Sequence, residues 1–342
     1  ATLALREQAS VSMTAFGSLD ELRRAHAVAD AATAQAETWQ RTFYRIGLRY
    51  EHRQHAQISV MPWLGLDHNR YIAQFADIPA TAEQRDLRYG LRASYSELLR
   101  DWLTLSVGVD LAFAYSDLMR QGTLTRPARE GDRAVFGQHP GKEVAADSYS
   151  TFLADLASYL SLVVRIGRLR IEPGLRISAL LIDVSRLLPR VGAAPPIGAR
   201  QNLLLAEPRL LLRYQPVQRL LLFAAAGLYH QPPDPADLSA VFGNPTLGAS
   251  RAVSVSTGAT LSLTTLLEAE LSGYYRALDR LVMRSTLLTP PLARALTQEG
   301  SGDSYGAQIL IRLLPWRDLG AMLSYGIGRA LRRDSPSLPL RL

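Results

Sequence analysis

The sequence predicts an all-β fold, specifically an antiparallel transmembrane β-barrel in which this chain supplies about thirteen strands of a larger barrel. Three observations predict it: side chains alternate between apolar and polar with period two, the alternating segments are long, and the connections between them alternate between short and long. A soluble strand usually runs about 5 or 6 residues. A tilted membrane strand needs about 9 to 11 residues to cross the hydrocarbon, and many of these segments are longer than that.

Composition excludes several classes of protein. The 342 residues are 47% hydrophobic and contain no cysteine, which removes thiolate metal sites and cysteine nucleophiles. No apolar run is long enough for a transmembrane helix. The net charge is +7, but Lys142 is the only lysine and the arginines are spread singly along the chain. Without a basic cluster interleaved with aromatic residues, we do not expect binding to nucleic acid.

The predicted strands share one pattern of side chains. In Leu103 to Tyr115, seven apolar residues fall on one face, and small or polar residues fall on the other. The same division recurs in Leu87–Ser96, Val253–Leu263, Leu267–Arg276 and Tyr305–Leu313, whereas Leu220–Tyr229 is apolar on both faces. Because successive side chains of a strand point to opposite sides, each such segment predicts a strand with one apolar face.

The predicted connections fall into two classes that alternate along the chain. The short ones are 53–55, 99–101, 166–168, 215–217, 264–265 and 315–317. The long ones are 17–37, 71–84, 117–148, 185–200, 231–249 and 284–302. Outer-membrane barrels have short periplasmic turns and long extracellular loops, whereas a soluble sandwich has no reason to sort its loops in this way.

Three of the long connections are predicted to contain helices. Ser18-Leu19-Asp20-Glu21 is a capping-box pattern in front of an alanine-rich stretch that ends near Glu37. Pro235–Val241 and Pro291–Gln298 each have a proline in the first turn of a predicted short helix. The 117–148 connection is rich in glycine and proline, which predicts irregular structure.

One stretch carries a family resemblance. Gly227-Leu228-Tyr229-His230-Gln231-Pro232-Pro233 is followed by Phe242-Gly243-Asn244-Pro245 and Leu247. This resembles the strand–loop–strand signature of TonB-dependent receptors, although Gly248-Ala249-Ser250 stands where that family often has Pro-Glu. Later segments resemble the next strands of the family: Tyr274–Val282, Gly300–Ile311 and Met322–Ala330. The resemblance is best over about 220–332 and marks these rim residues as candidates: Tyr229, His230, Gln231, Pro232, Asn244, Pro245 and Leu247.

The resemblance implies a receptor in the outer membrane of a Gram-negative bacterium that takes up a scarce solute such as a siderophore, cobalamin or a saccharide. The implied partners are outer-membrane lipid, a small-molecule or metal-chelate ligand and, for the full-length protein, a TonB-type energising complex. The barrel of the family has about 22 strands and a plugged lumen. We therefore expect residues 1–342 to be a single barrel segment from the middle of a longer receptor, with the plug domain and the C-terminal strands outside it.

Catalytic, cofactor and metal sites are not expected. His52 and His55 lie on a predicted turn with no third ligand nearby, and Glu268 and Glu270 fit a polar lumen wall better than a carboxylate pair. The one G-x-S-x-G pattern, Gly302–Gly306, falls inside the predicted strand Gly300–Ile311 and not at a strand-to-helix elbow, and the sequence has no phosphate-binding loop, so we do not expect an enzyme. His68 and His230 are further candidates to meet a ligand at the rim. Three alternatives remain open from the sequence: a passive porin, another outer-membrane barrel such as a barrel enzyme, and a soluble all-β binding protein.

Overall fold

In the described residues, fourteen strands form one antiparallel sheet in which every strand pairs with its neighbours in chain order, from β1 to β14. The computed structural model describes residues 2–6, 8–26, 35–125, 143–186, 198–287, 289–316 and 319–334. The strands are β1 Thr2–Arg6, β2 Ala9–His26, β3 Gln35–Arg53, β4 Ala56–Phe75, β5 Ile78–Arg100, β6 Leu103–Gly122, β7 Ala145–Ile166, β8 Leu169–Arg186, β9 Ala199–Val217, β10 Leu220–Gln231, β11 Ser250–Ser262, β12 Leu267–Arg284, β13 Leu296–Trp316 and β14 Leu319–Arg333. The predicted all-β class is confirmed, and the short β1 adds a five-residue strand to the thirteen long ones.

The register of the sheet keeps apolar side chains on one face across neighbouring strands. Tyr95 of β5 pairs with Val107 of β6, Val107 pairs with Leu160 of β7, and Leu160 pairs with Leu175 of β8. We call this side the outer face. Its exposed apolar residues include Leu64, Leu66, Leu87, Tyr89, Val109, Tyr115, Leu160, Leu175, Ile177, Leu204, Leu222, Val253, Val255, Leu271, Tyr275, Ile309, Tyr325 and Ile327. An outer face of this kind matches the lipid-facing surface of a membrane barrel.

The opposite side, the inner face, is polar. In the same four strands, the residues adjacent to the apolar ones also form a row. Ser94 pairs with Gly108, Gly108 with Tyr159, and Tyr159 with Arg176. Because side chains alternate strictly along a strand, one register fixes both faces at once. The inner face therefore corresponds to the lumen wall.

Four of the predicted short connections, 53–55, 99–101, 166–168 and 264–265, are confirmed to within one or two residues, and they lie at one end of the sheet, which we call the turn end. The predicted connection 215–217 belongs to β9, whose turn follows directly, and residues 317–318 after β13 lie outside the described residues. Two residues separate the strands at Gln54-His55, Asp101-Trp102, Gly167-Arg168 and Gln218-Arg219, and four residues separate β11 from β12. The other end of the sheet is the loop end. Its longest described connection is 232–249, between β10 and β11.

One predicted long loop is wrong. The segment 71–84 belongs to β4 and β5, which join through a two-residue turn of Ala76 and Asp77 with Ala76 at a φ of 50°. The period-two pattern continues through this segment. As a result, Tyr71, Ala73 and Ala80 fall on one face, where they form a small buried cluster. This packing extends the pair of strands beyond the membrane-crossing length of about 9 to 11 residues.

Two of the three predicted loop helices are also wrong. The capping-box residues lie in β2, where Glu21 pairs with Gln40 of β3, so pairing between strands overrides the local preference; residues 27–34 fall outside the described ranges. Of the segment 291–298, Leu296 already begins β13. The third prediction is confirmed by a 3₁₀ helix at Pro235–Leu238. No helix in the described residues is long and apolar enough to cross a membrane.

For the 117–148 connection, β6 extends to Gly122 and β7 begins at Ala145. Its expected irregular part at 126–142 lies outside the described residues, as does 187–197 of the predicted 185–200 loop.

Aromatic rings lie flat across glycines of the adjacent strand on the inner face. The four register pairs of this kind are Trp63–Gly90, Gly108–Tyr159, Phe223–Gly258 and Tyr274–Gly306. A Cβ atom added to Gly306 would lie 2.8 Å from Cε1 of Tyr274 and 2.6 Å from the carbonyl oxygen of Ile327. Only glycine leaves room for a ring this close to the backbone, so these pairs join neighbouring strands tightly.

Replacing Gly306 should destabilise the sheet far more than replacing a glycine on the same pair of strands that has open space. We expect Gly306→Ala to lower the free energy of unfolding by about 1–3 kcal/mol, because the new methyl group overpacks against Tyr274 and the backbone. Gly273→Ala is the matched control, since its nearest atom would be 3.6 Å away. Urea unfolding of detergent-solubilised protein measures both variants, and equal stability of the two would contradict the packing described here.

Candidate functional site

The connection between β10 and β11, residues 232–249, folds back against the inner face at the loop end; we call it the inner loop. It begins with two prolines and the 3₁₀ helix Pro235–Leu238. The carboxylate of Asp234 caps this helix by accepting a hydrogen bond of 2.9 Å from the backbone N–H of Ala236. An aspartate in this position satisfies a backbone donor that the helix itself leaves unpaired. The residues of the inner loop therefore have a defined local structure.

Apolar packing holds the inner loop to the wall. Leu238, Leu247 and Ala249 of the loop are buried in one cluster. Their partners lie on four strands: Leu118, Tyr149, Leu180, Ile182, Val184 and Leu296. Fully burying a leucine stabilises a fold by about 1.5–3 kcal/mol, so this cluster is a substantial anchor.

Buried polar groups of the wall hold the first half of the inner loop. Asp147 of β7 accepts a hydrogen bond of 2.7 Å from the hydroxyl of Ser239 and one of 3.4 Å from the backbone N–H of Val241. The hydroxyl of Tyr149 donates to the carbonyl oxygens of Pro235 and Ala236 at 3.0 and 3.2 Å. Asp147 is 1% exposed, so its carboxylate depends on these donors for compensation.

Amide side chains hold the second half. Nε2 of Gln201 donates to the carbonyl oxygens of Pro245 and Leu247 at 3.2 and 3.0 Å. Gln298 forms two bonds with Gly248, accepting from its N–H at 2.9 Å and donating to its carbonyl at 2.8 Å. The guanidinium of Arg120 lies 4.1 Å from the ring centroid of Phe242. Strands β6, β7, β9 and β13 thus all fix the position of the inner loop.

The candidates from the family signature divide into two groups. Asn244, Pro245 and Leu247 are anchoring residues of the inner loop: Nδ2 of Asn244 donates to the carbonyl of Leu296 at 3.2 Å, and Leu247 lies in the buried cluster. Tyr229 lies on the wall under the guanidinium of Arg209, 4.9 Å from its ring centroid. The backbone N–H of His230 donates to Glu207 at 2.8 Å.

The remaining two candidates flank the start of the inner loop. Gln231 is the last residue of β10 and is exposed, and Pro232 is half-buried. The two histidines proposed for the rim do not come together. His68 contacts Glu83 of β5 at 3.1 Å on the outer face, whereas His230 lies in β10.

A cleft of about 550 Å³ lies at the loop end, and we call it the mouth cleft. Its lining comes from the inner loop and the upper parts of β2–β7: Trp39, Tyr71, Leu118, Arg120, Tyr149, Asp234 and Ala236 are among its residues. Trp39 and Tyr71 contact each other with ring centroids 4.3 Å apart, and the hydroxyl of Tyr71 donates to Glu37 at 3.4 Å. A volume of this size falls within the range of about 300–1,000 Å³ that small-molecule sites occupy.

Below the mouth cleft, the wall carries ion pairs that link neighbouring strands. Asp67 of β4 bridges Arg45 of β3 at 2.6 Å and Arg88 of β5 at 3.0 Å. Arg176 of β8 reaches Asp155 of β7 at 3.2 Å and Asp110 of β6. These charges are paired within the wall.

The carboxylate pair noted in the sequence is part of the same kind of wall. Arg312 of β13 contacts Glu268 at 2.8 Å and Glu270 at 3.4 Å, as a lumen-facing ion pair does. Within the described ranges, no group of three or more histidine, aspartate or glutamate side chains is arranged to hold a metal ion. His55 lies in the turn between β3 and β4, whereas His52 belongs to β3 and pairs with Ala9 and Ile58.

Sequence reasoning missed the anchoring residues Asp147, Tyr149, Gln201 and Gln298. They lie far from the inner loop in sequence, 92 residues in the case of Asp147 and Ser239. The alternation of Asp147 and Tyr149 with Ser148 and Ser150 shows that they share a face, but no local signal identifies the loop that they meet. The mouth cleft was missed for the same reason.

Comparison with known proteins gives a family match. Residues 11–338 match the family model described as TonB dependent receptor-like, beta-barrel. A comparison with curated protein sequences gives no significant match.

Solved structures with the same fold include the ferric yersiniabactin uptake receptor FyuA from Yersinia pestis, with a TM-score of 0.70, 12% identity and coverage of 97% of this chain and 51% of that chain. The siderophore receptor PiuA from Acinetobacter baumannii gives a TM-score of 0.68 and 10% identity over 96% of this chain and 55% of that chain. The copper transporter OprC gives a TM-score of 0.67 and 13% identity over 96% and 51%. The chain thus spans about half the length of these structures.

Removing the buried carboxylate should release the first half of the inner loop. We expect Asp147→Ala to cost about 1–3 kcal/mol locally, because the hydroxyl of Ser239 loses its acceptor and the N–H of Val241 loses one of its two acceptors. Hydrogen exchange of the backbone amides in 237–249 should then accelerate by about tenfold for each 1.4 kcal/mol. Ser148→Ala is the control, because residue 148 points to the outer face. Unchanged exchange in Asp147→Ala would show that the carboxylate does not hold the loop.

Proposed function

The chain belongs to the TonB-dependent receptor-like β-barrel family and lies in the outer membrane of a Gram-negative bacterium, and on this premise we propose that it forms part of the wall of a receptor that takes up a scarce solute. The turn end is then periplasmic and the loop end extracellular, since barrels of this class have short periplasmic turns. The membrane location excludes the alternative of a soluble all-β binding protein. A receptor, unlike a passive porin, needs a specific ligand site at its extracellular mouth.

The observation that carries the proposal is the mouth cleft. It opens at the extracellular end, on the inner face, where a solute arriving from outside would first meet the wall. The inner loop closes one side of it, and the anchors at Asp147, Tyr149, Gln201 and Gln298 fix that side. A site that is already formed loses less entropy on binding than one that must fold around its ligand.

The lining of the mouth cleft favours a ligand with flat apolar parts and polar groups at its edge. The exposed ring of Trp39, supported from behind by the buried ring of Tyr71, offers a stacking surface, and Arg120 and Asp234 border it with opposite charges. Among the solutes that the family takes up, we propose a metal chelate of the siderophore type, ahead of cobalamin or a saccharide. The names of three structural neighbours, a copper transporter and two siderophore-related receptors, support this order.

We further propose that these fourteen strands are one part of a larger barrel, whose plug domain and other strands lie outside this chain. The chain matches about half the length of its structural neighbours, and in the described residues β1 and β14 each pair on one side only. An open sheet edge in lipid would leave backbone donors and acceptors unpaired, which is costly. In this scheme lipid surrounds the outer face, and the TonB-type energising complex acts on the full-length receptor.

Binding of a chelate should depend on the aromatic rings of the mouth cleft. We expect a ferric catecholate or ferric hydroxamate chelate to quench the tryptophan fluorescence of the detergent-solubilised chain, and Trp39→Ala to weaken this binding by about tenfold through loss of the stacking surface. Trp102→Phe is the control, because Trp102 lies at the periplasmic turn end.

Cobalamin and a linear oligosaccharide, titrated in the same way, test the other ligand classes. Binding of one of them alone would replace the chelate as the ligand. Failure of all four compounds to bind, or equal binding by Trp39→Ala, would overturn the mouth cleft as the ligand site.

The proposal of a longer receptor has its own test in the genome. The DNA on both sides of the coding segment should continue the reading frame, with a plug-sized domain upstream and further alternating strands downstream. Stop codons close to both ends would contradict it.

A further inference from the structure

Arginines line the turn end of the sheet. We call Arg53, Arg100, Arg165, Arg168 and Arg219 the periplasmic arginine row. All five side chains are exposed, and they belong to four successive short connections, those after β3, β5, β7 and β9. Strands lie about 4.8 Å apart, so neighbouring hairpins bring these cations to the rim at intervals of about 10 Å.

Within the described residues, Arg53 is the one arginine of this row that contacts a carboxylate. Arg53 contacts Glu51 at 3.1 Å, but Arg100 donates to the carbonyl of Leu99 at 3.1 Å and Arg165 to the hydroxyl of Thr104 at 3.2 Å. Arg168 donates to the carbonyl of Pro216. Within the described turns of this end, Asp101 is the one acidic residue.

Several arginines of the extracellular end do pair with carboxylates. There Arg200 pairs with Asp183 at 3.4 Å, Arg251 with Asp279 at 2.8 Å, and Arg85 with Glu83 at 2.7 Å. These three arginines of the extracellular end thus pair with carboxylates, whereas four of the five arginines in the periplasmic row contact none in the described residues. A uniform excess of arginine in the composition would not produce this asymmetry.

The row borders a surface that fits the edge of a bilayer. Trp102 is 53% exposed at the second turn, and Tyr214 is 45% exposed on the outer face of β9. Ile166 and Val217 are exposed at the same level of the sheet. Tryptophan and tyrosine concentrate at the boundary between hydrocarbon and headgroups, which places the arginines at headgroup depth.

By register, Arg53 and Arg165 of this row lie on the inner face, and the other three members lie at the turns. We propose that these three, Arg100, Arg168 and Arg219, bind anionic phospholipid headgroups of the phosphatidylglycerol type in the inner leaflet of the outer membrane. The guanidinium groups supply the donors for phosphate oxygens, and Trp102 and the apolar residues beside it contact the acyl chains. The inference rests on the membrane location of the chain and on no property of the mouth cleft, so the two proposals succeed or fail separately.

The test counts lipids bound to the chain in detergent micelles by native mass spectrometry. Phosphatidylglycerol should bind more tightly than phosphatidylcholine with the same acyl chains, and salt should reduce the difference. Each arginine near an anionic headgroup contributes about fivefold in affinity, so Arg100→Gln/Arg168→Gln/Arg219→Gln should weaken phosphatidylglycerol binding by about a hundredfold. Binding of phosphatidylcholine should not change.

The matched control removes two cations from the other end of the sheet. Arg200→Gln/Arg251→Gln should keep the preference for phosphatidylglycerol. Heat-modifiable gel migration shows that each variant is folded, and if the triple variant is not, Arg219→Gln alone should weaken binding by about fivefold. Equal binding of both lipids to the unmodified chain overturns the proposal. A loss of phosphatidylglycerol binding confined to the control variant also overturns it, because that result would place the lipid at the extracellular leaflet.

Discussion

The hydrogen-bonded register between neighbouring strands is the constraint on which the rest of this structure depends. Because side chains alternate with period two, a slip of one residue between two strands would exchange the outer and inner faces of everything beyond it. The row from Tyr95 through Val107 and Leu160 to Leu175 shows the register held across four strands. Aromatic–glycine pairs such as Tyr274 with Gly306 reinforce it, since each ring fits over one position only.

The same register also determines which side chains lie next to one another on the inner face. It brings Asp147 and Tyr149 of β7, Gln201 of β9 and Gln298 of β13 to one level at the extracellular end. Together they satisfy the backbone of an inner loop that otherwise would have buried polar groups without partners. These contacts fix the inner loop as part of the wall. Because the loop is fixed there, it forms one side of the mouth cleft.

Charge is distributed by depth in the sheet. On the inner face, arginines and carboxylates pair across strands, as in Arg45 with Asp67, so the wall itself is close to neutral there. At the periplasmic rim, arginines such as Arg168 and Arg219 are exposed without carboxylate partners. Exposed positive charge is therefore present at the periplasmic edge of the described sheet.

The sequence by itself determined the all-β class, the long strands, the short turns and the polar inner face. These features follow from period-two alternation, which can be recognised from neighbouring residues alone. It also marked Asn244, Pro245 and Leu247 through a family signature, without indicating that they anchor a loop. Only the tertiary structure decided that residues 18–26 and 71–84 are strands, since pairing with a neighbouring strand overrode the capping and loop signals there. The mouth cleft was also decided at that level, because its anchors lie 44 to 92 residues from the loop they hold. Contacts over such separations depend on how the strands are arranged, which no local pattern encodes.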